Sequence, residues 1–327
     1  MKSIAVFIGT RPELIKCMPL INSSSIYVPV FVEQHSDMLS DIYKSSKYNI
    51  IISETSNNRL NNIIVSILKS DIFNIKWDAI MVQGDTAVAF AAALYAFNKG
   101  IKVIHLEAGL RTYNNEHPYP EEGYRKMIDA IANVALCPSN NSADNLKCEK
   151  FSGDIYIVGN TVIDAIKSYN LKPFIGNKVI ITLHRRENWY QIKDFFIICE
   201  LLANKYNNLE FILPIHPNPI IKKYENMFKK VKVVNPLTHF EMSKLLEEAN
   251  CIITDSGGIQ EEAAYLGKHI FCCRKVTERV ELIDKYITFT EDPIKLKNLF
   301  KPQEILLPYC LIYGNGDACI KINNCLF

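Results

Sequence analysis

The sequence predicts an α/β protein built from two doubly wound, Rossmann-like domains, and three observations carry that expectation. Short continuous apolar runs, such as residues 4–8, 79–82 and 179–183, read as strands buried on both faces. Segments with helical spacing alternate with them, and a βαβα order makes a parallel sheet that binds ligands at its C-terminal strand ends. Around residues 167–178, Pro173 and Gly176 interrupt the periodicity before the pattern restarts, so the chain divides into residues 1–168 and 169–309.

In order, residues 4–8 form a first strand that breaks at Gly9-Thr10-Arg11-Pro12-Glu13, with Pro12 suited to the first turn of the next helix. Arg11 at that turn and Lys16 one turn on can face an anion. Residues 27–32 are a second strand, ending at Glu33-Gln34-His35, and a polar loop over 53–62 enters a helix near 60–68. The strand at 79–82 runs into Gln83-Gly84-Asp85-Thr86 and an Ala-rich helix closed by Gly100. Another strand, residues 103–108, ends at Gly109-Leu110-Arg111. Arg11, Asp85 and Glu107 therefore fall on one strand-end rim, the pattern of a site. Pro120-Glu121-Glu122 opens a helix on which Glu121 and Arg125, four apart, share a face.

The second half repeats the scheme. A strand at 179–183 leads to His184-Arg185-Arg186-Glu187-Asn188, and a strand at 210–214 to Ile215-His216-Pro217. A helix over 240–249 precedes the most informative stretch, Asp255-Ser256-Gly257-Gly258-Ile259-Gln260-Glu261-Glu262. It lies between the apolar run Cys251-Ile252-Ile253-Thr254 and a helix stopped by Gly267. Two glycines allow a close backbone approach, and the helix start offers unpaired N–H groups with partial positive charge. This is a phosphate cradle, with Glu261 or Glu262 one turn on, in reach of ribose hydroxyls. His184 followed by two arginines suits a pyrophosphate.

Composition excludes several classes. The 327 residues are 48% hydrophobic and 22% charged, with a net charge of +2, which gives no basic footprint for nucleic acid or membrane surfaces. No apolar run approaches the ~20 residues that span a bilayer. The ten cysteines are scattered without a C-x-x-C pair, which points to reduced thiols in the cytoplasm and to neither a disulfide framework nor a metal site. The Gly-x-Gly-x-x-Gly fingerprint of dinucleotide binding is missing, so no cofactor is expected.

Taken together, the Gly9–Glu13, Gln83–Thr86, His105–Arg111, Pro120–Glu122, His184–Asn188 and Asp255–Glu262 motifs resemble those of the non-hydrolysing UDP-N-acetylglucosamine 2-epimerases. Thr277-Glu278-Arg279 and Tyr313-Gly314-Asn315-Gly316 fit as well, so the likeness runs from residue 4 to about 320 in the family's order. It implies a GT-B fold, two Rossmann-like domains facing a central cleft, with a last helix at about 310–327 crossing back to the first domain. It implies that Ser256, Gly257, Gly258 and Glu262 hold the UDP phosphates and ribose, with Arg11 and Arg279 on the diphosphate. Lys16, Asp85, Glu107, Glu121, Arg125 and His184 would surround the sugar, Asp85, Glu107, Glu121 and His184 as catalytic groups. The implied reaction removes the C2 proton, expels UDP to leave a glycal, and re-adds UDP with the proton delivered to the other face of C2. A UDP-sugar substrate, a homodimer and a role in polysaccharide precursor synthesis complete what the resemblance implies.

Departures from the family pattern mark where the expectation is specific to this chain. Gln34, Arg59, Arg185 and His216 match a second, activating UDP-sugar site, yet Ser36-Asp37 stand where a basic residue is common. Val280 follows Glu278-Arg279 where Pro is frequent, and Phe240 or Met242 stands for an aromatic against uracil. The alternatives are a relative acting on 6-deoxy or otherwise modified sugars, a hydrolysing 2-epimerase, a GT-B glycosyltransferase and a non-catalytic nucleotide-sugar binder.

Overall fold

Two parallel sheets, each fed by helices, carry the chain in a computed structural model that describes residues 3–33 and 47–327. One compact unit comprises residues 1–165 and 312–327, the other residues 166–311.

The first unit opens with β1 (Ile4–Ile8), α1 (Arg11–Ser23), β2 (Tyr27–Glu33), β3 (Asn49–Ile51) and α2 (Arg59–Leu68). It continues with β4 (Ala79–Gln83), α3 (Ala87–Asn98), β5 (Lys102–Leu106), α4 (Glu121–Ile131) and β6 (Val134–Cys137). Then come α5 (Asn140–Cys148), β7 (Asp154–Ile157) and α6 (Thr161–Ser168), the last reaching into the second unit's residues. The strand order is β3-β2-β1-β4-β5-β6-β7, so the topological switch lies between β1 and β4. Ala5, Phe7, Ile80 and Val82 pack on one face of the sheet, with the small side chains of α3 allowing close approach. Ile4, Val6, Ile8 and Met81 pack on the other, against Leu14 and Cys17 of α1.

Two local features explain boundaries that periodicity alone does not predict. Pro29 sits inside β2 opposite Val6, where a proline lacks its ladder donor. It is tolerated because β3 pairs with residues Phe31 to Glu33, so that among the described residues that side of Pro29 meets no strand. Thr10 begins α1 with a capping box to Glu13, which sets the break after β1 at Gly9.

In the second unit the order is β8 (Lys178–Thr182), α7 (Ile192–Lys205), β9 (Glu210–Pro214), α8 (Pro219–Lys222), β10 (Lys232–Val234) and α9 (His239–Glu247). There follow β11 (Ala249–Thr254), α10 (Gly257–Tyr265), β12 (His269–Cys272), β13 (Ile287–Phe289) and α11 (Pro293–Leu299). The sheet runs β10-β9-β8-β11-β12-β13 with its switch between β8 and β11. The helix expected over 240–249 ends earlier, at Glu247, because Ala249 already pairs with Lys178 across a register shift.

The final helix, α12 (Ala318–Leu326), belongs to the first unit. Cys319, Ile322 and Leu326 join the core beneath β1. Its first N–H groups are held by Asp164, which accepts from Ala318 N at 3.2 Å and Cys319 N at 2.9 Å. Among the described residues no helix is long and apolar enough to cross a membrane.

Candidate active site

The first cluster gathers at the switch point of the first sheet, where β1, β4 and β5 end side by side. Glu107 follows β5 with φ of 67°, a left-handed backbone that a glutamate adopts only under constraint. Lys16 Nζ donates to both of its carboxylate oxygens, at 2.7 and 2.6 Å, and Asn160 Nδ2 donates at 3.1 Å. Gln83 Nε2 donates to the same carboxylate. With a side chain only 6% exposed, Glu107 needs these donors to hold a charge.

Asp85 stands one residue past Gly84, whose φ of 68° turns the chain out of β4. Its carboxylate is the more open of the two, 25% exposed, and is paired with Arg125. Arg125 Nη1 also lies 3.1 Å from Glu122, a fully buried acid that accepts from Thr112 N at 3.0 Å and Tyr113 N at 2.9 Å. Sequence spacing places Glu121 and Arg125 on one helix face; Glu122, three residues before Arg125, is a further acid against the guanidinium. Glu121 opens α4 half-buried, in its first turn.

Beneath this rim lies a buried polar layer. His105 Nε2 is 2.8 Å from the Gly84 carbonyl and Nδ1 2.5 Å from Asp129 Oδ1. Each ring nitrogen of His105 thus faces an oxygen acceptor. Asp129 also accepts from Arg111 Nη2 at 2.7 Å. Burial would raise its carboxyl, but His105 and Arg111 outweigh burial and hold it below the usual range. Glu13 ties the neighbouring turns together, accepting from Gly9 N at 2.7 Å and from Thr86 Oγ1 at 2.5 Å. Burial raises its carboxyl against those hydrogen bonds.

The second cluster occupies the corresponding switch of the second sheet. Asp255 is fully buried and accepts from His184 N at 3.1 Å, Arg185 N at 2.9 Å and Asn188 Nδ2 at 3.0 Å, locking the His184–Asn188 loop. The His184 ring stacks on His216 with centroids 4.8 Å apart and planes at 11°. Burial lowers the His184 imidazole below its ordinary value, with Asp255 opposing and Arg185 assisting. His216 is pushed down to about 4 by desolvation and by His184.

Ser256 begins α10 without a side-chain hydrogen bond to the cap, which leaves the first N–H groups of the helix to another partner. A Cβ on Gly257 would lie 2.7 Å from Arg279 Nη1, so the arginine packs directly against the turn. Arg279 is 4% exposed, with Nε 2.8 Å from Glu261 and a second pair to Glu278. Its charge is thus directed to two buried acids. Sequence reasoning left Glu261 and Glu262 as alternatives for ribose; Glu261 serves Arg279, while Glu262 Oε1 lies over Gly258.

The structure therefore brings Lys16, Asp85, Glu107 and Arg125 into one cluster, and His184, Arg185 and His216 into another beside Ser256. Arg11 is half-buried at the first residue of α1. Arg59 is exposed at the first residue of α2, and Gln34 lies outside the described residues. Sequence reasoning missed Asn160, His105, Asp255 and the supporting role of Gln83. The available signal was position: Gln83 ends β4, His105 is the penultimate residue of β5, and Asp255 and Asn160 follow β11 and β7, at or near the C-terminal strand ends.

Comparison with known proteins places this geometry. A family model described as UDP-N-acetylglucosamine 2-epimerase matches residues 29–326. A Campylobacter jejuni protein named UDP-N-acetylglucosamine 2-epimerase is 35% identical over 99% of this chain and 97% of its own length. The Neisseria meningitidis UDP-GlcNAc 2-epimerase, solved with UDP-GlcNAc bound, superposes with a TM-score of 0.89 at 31% identity, covering 100% of this chain and 99% of that one. The Methanocaldococcus jannaschii enzyme, solved with UDP-GlcNAc and UDP, gives a TM-score of 0.82 at 27% identity over 99% of each chain. The two parallel sheets have the GT-B fold of those enzymes. A match that takes in both sheets and nearly the whole of a curated relative makes this chain a member of the UDP-N-acetylglucosamine 2-epimerase family.

Proposed function

We propose that the protein epimerises C2 of a UDP-N-acetylhexosamine, of the UDP-GlcNAc to UDP-ManNAc type, without releasing the free sugar. The observation that carries this reading is the pairing of two carboxylates, Asp85 and Glu107, on adjacent strand ends with the cations Lys16 and Arg125 already against them. Inversion at C2 needs proton transfer on both faces of the sugar, which one carboxylate cannot serve.

In the proposed reaction a base takes the C2 proton and the C2–H electron pair becomes the C1–C2 double bond. The C1–O bond breaks with its pair leaving on UDP. UDP oxygen then attacks C1 of the glycal while a proton reaches C2 from the opposite face. Nothing is oxidised overall, so no dinucleotide enters. Asp85, Glu107 and Glu121 are assigned to proton transfer and the positioning of the groups that perform it. Ser256, Gly257 and Gly258 receive the diphosphate on the N–H groups of α10, with Arg11 and His184 adding positive or hydrogen-bonding contacts that stabilise the departing UDP. Arg279 acts from below, shaping the turn through Gly257. Arg59, Arg185 and His216 remain the candidates for a second UDP-sugar site, supported by the stacking of His216 on His184. Free cysteines agree with work in the cytoplasm, and family likeness supports a homodimer supplying sugars for polysaccharide.

Proton NMR of UDP-GlcNAc incubated with the enzyme in D₂O tests the reading. A UDP-manno product with deuterium at C2 is expected. Free N-acetylmannosamine with UDP would make the protein a hydrolysing enzyme. No exchange with UDP-GlcNAc, but exchange with a 6-deoxy UDP-N-acetyl sugar, would move the substrate class.

A further inference from the structure

Two buried polar atoms of the second unit face each other without an aligned hydrogen bond. His239 Nε2 lies 3.2 Å from Glu262 Oε2, with side chains 10% and 7% exposed, yet neither atom has a hydrogen-bond partner. Such atoms are rare in native proteins because each forfeits its hydration on burial. Burial without a partner at two adjacent atoms points to a ligand group that satisfies both.

The hydrogen on His239 is fixed from the other side of the ring. Tyr169 Oη lies 3.0 Å from Nδ1, with ring centroids 5.6 Å apart, and Tyr169 is itself held edge-on against Phe240 at 5.1 Å. If Nδ1 carried the hydrogen, the Nε2 lone pair would point at a carboxylate. With Tyr169 donating to Nδ1, Nε2 keeps its hydrogen and presents a donor beside the acceptor Glu262. The backbone reinforces the placement, since His239 is the first residue of α9, anchored by the Thr238–Glu241 capping box.

We propose that His239 and Glu262 form a two-point receiver for a ribose hydroxyl, which accepts from Nε2–H and donates to Oε2. The ligand class is a ribonucleoside diphosphate, and the selected feature is its vicinal diol. The position is right for it: the other Glu262 oxygen lies over Gly258, so the carboxylate spans from the start of α10 to His239. A sugar esterified to a diphosphate on that helix start presents its hydroxyls there. His239 is thereby a specificity-determining residue and Tyr169 the residue that positions it. The inference rests on reading the start of α10 as the UDP diphosphate site.

The test is calorimetric titration with UDP, 2′-deoxy-UDP and 3′-deoxy-UDP. Wild-type protein should prefer UDP over at least one deoxy analogue by ~10-fold or more, the scale of a buried hydrogen-bonding group left unpaired. In His239→Phe that preference should collapse towards parity, through weaker UDP binding and not tighter analogue binding. His239→Gln, which restores an N–H donor, should recover much of it, and Tyr169→Phe should lose part of it. A His239→Phe protein keeping the full wild-type preference would overturn the proposal. Should that variant fail to fold, an undiminished preference in Tyr169→Phe, or no preference in wild type for either hydroxyl, would do the same. Failure of wild type to bind UDP at all would instead remove the diphosphate reading, and this inference with it.

Discussion

Lys16 and Glu107, separated by 91 residues, meet with the ammonium 2.7 and 2.6 Å from the two carboxylate oxygens. The contact joins α1 to the end of β5 across β1 and β4, and fixes a glutamate in a left-handed backbone where it would not otherwise rest. Removing the ammonium leaves the buried Glu107 carboxylate with the neutral donors Gln83 and Asn160 and no cation against it. We therefore expect Lys16→Met to cost about 3–5 kcal/mol of folding stability and most of the activity. Denaturant unfolding of both proteins checks it, and a cost under ~1 kcal/mol would mean the pair is solvated.

Asp85 should behave differently. It is the more exposed acid, and its partner Arg125 retains Glu122 when Asp85 is neutralised. Asp85→Asn should reduce turnover at least ~10²-fold, the scale of a general acid–base group, while leaving the melting temperature nearly unchanged. Glu107→Gln should match that loss in rate. Near wild-type exchange of deuterium into C2 in both variants would remove them from the proton-transfer steps.

Below the rim, Asp129 holds His105 and Arg111 together, at 2.5 and 2.7 Å. Asp129→Asn should destabilise the first unit by about 3 kcal/mol or more, because two buried donors lose their acceptor charge. Asp129 has a carboxyl held low, so its contribution is present above the ordinary carboxylate range and lost as pH falls through its own lower value. An acid titration of unfolding should therefore be shallower in the variant than in wild type.

The stacked histidines set a second pH window. Both are lowered in the folded protein, His184 by burial and the nearby Arg185, and His216 to about 4 by burial and His184, with Asp255 opposing in each case. A group with a depressed folded value binds protons more readily when unfolded. Stability is therefore full above about pH 6.5 and declines as pH falls from there towards 4. Melting curves across that range should show the decline, and His216→Asn should flatten part of it. An unaltered slope in His216→Asn would mean that this residue does not contribute.

What the sequence discloses and what it hides follow from the range of each interaction. The strand into Asp255-Ser256-Gly257-Gly258 and the break at Gly9–Glu13 with Pro12 in the first helical turn are local patterns, legible because their causes lie within a few residues. Gln83 and Asn160 converge on Glu107 from 24 and 53 residues away, and no periodicity encodes such a meeting. Arg279 shows the same limit. Its motif position suggests a diphosphate contact, but its two acids, Glu261 and Glu278, are visible only once α10 and the loop after β12 are placed together. His239 lies 23 positions from Glu262 and reads in sequence only as a helix start.

The turn at α10 gives the sharpest contrast between two neighbouring positions. A Cβ on Gly257 would stand 2.7 Å from Arg279 Nη1 and 3.0 Å from Cζ, and the guanidinium cannot swing aside without leaving Glu261 and Glu278. A Cβ on Gly258 would meet only Glu262 Oε1, at 3.6 Å, an ordinary contact. Gly257→Ala should therefore cost about 1–3 kcal/mol in stability, the range for overpacking a filled site, and weaken UDP binding by roughly tenfold as the turn shifts. Gly258→Ala should leave stability within about 0.5 kcal/mol, the range of a surface substitution. Thermal unfolding and UDP titration on the two variants decide the matter. If both are destabilised equally, the backbone conformation and not the arginine beneath it sets the need for glycine. If Gly257→Ala alone suffers, Arg279 is the support that shapes the phosphate-binding turn.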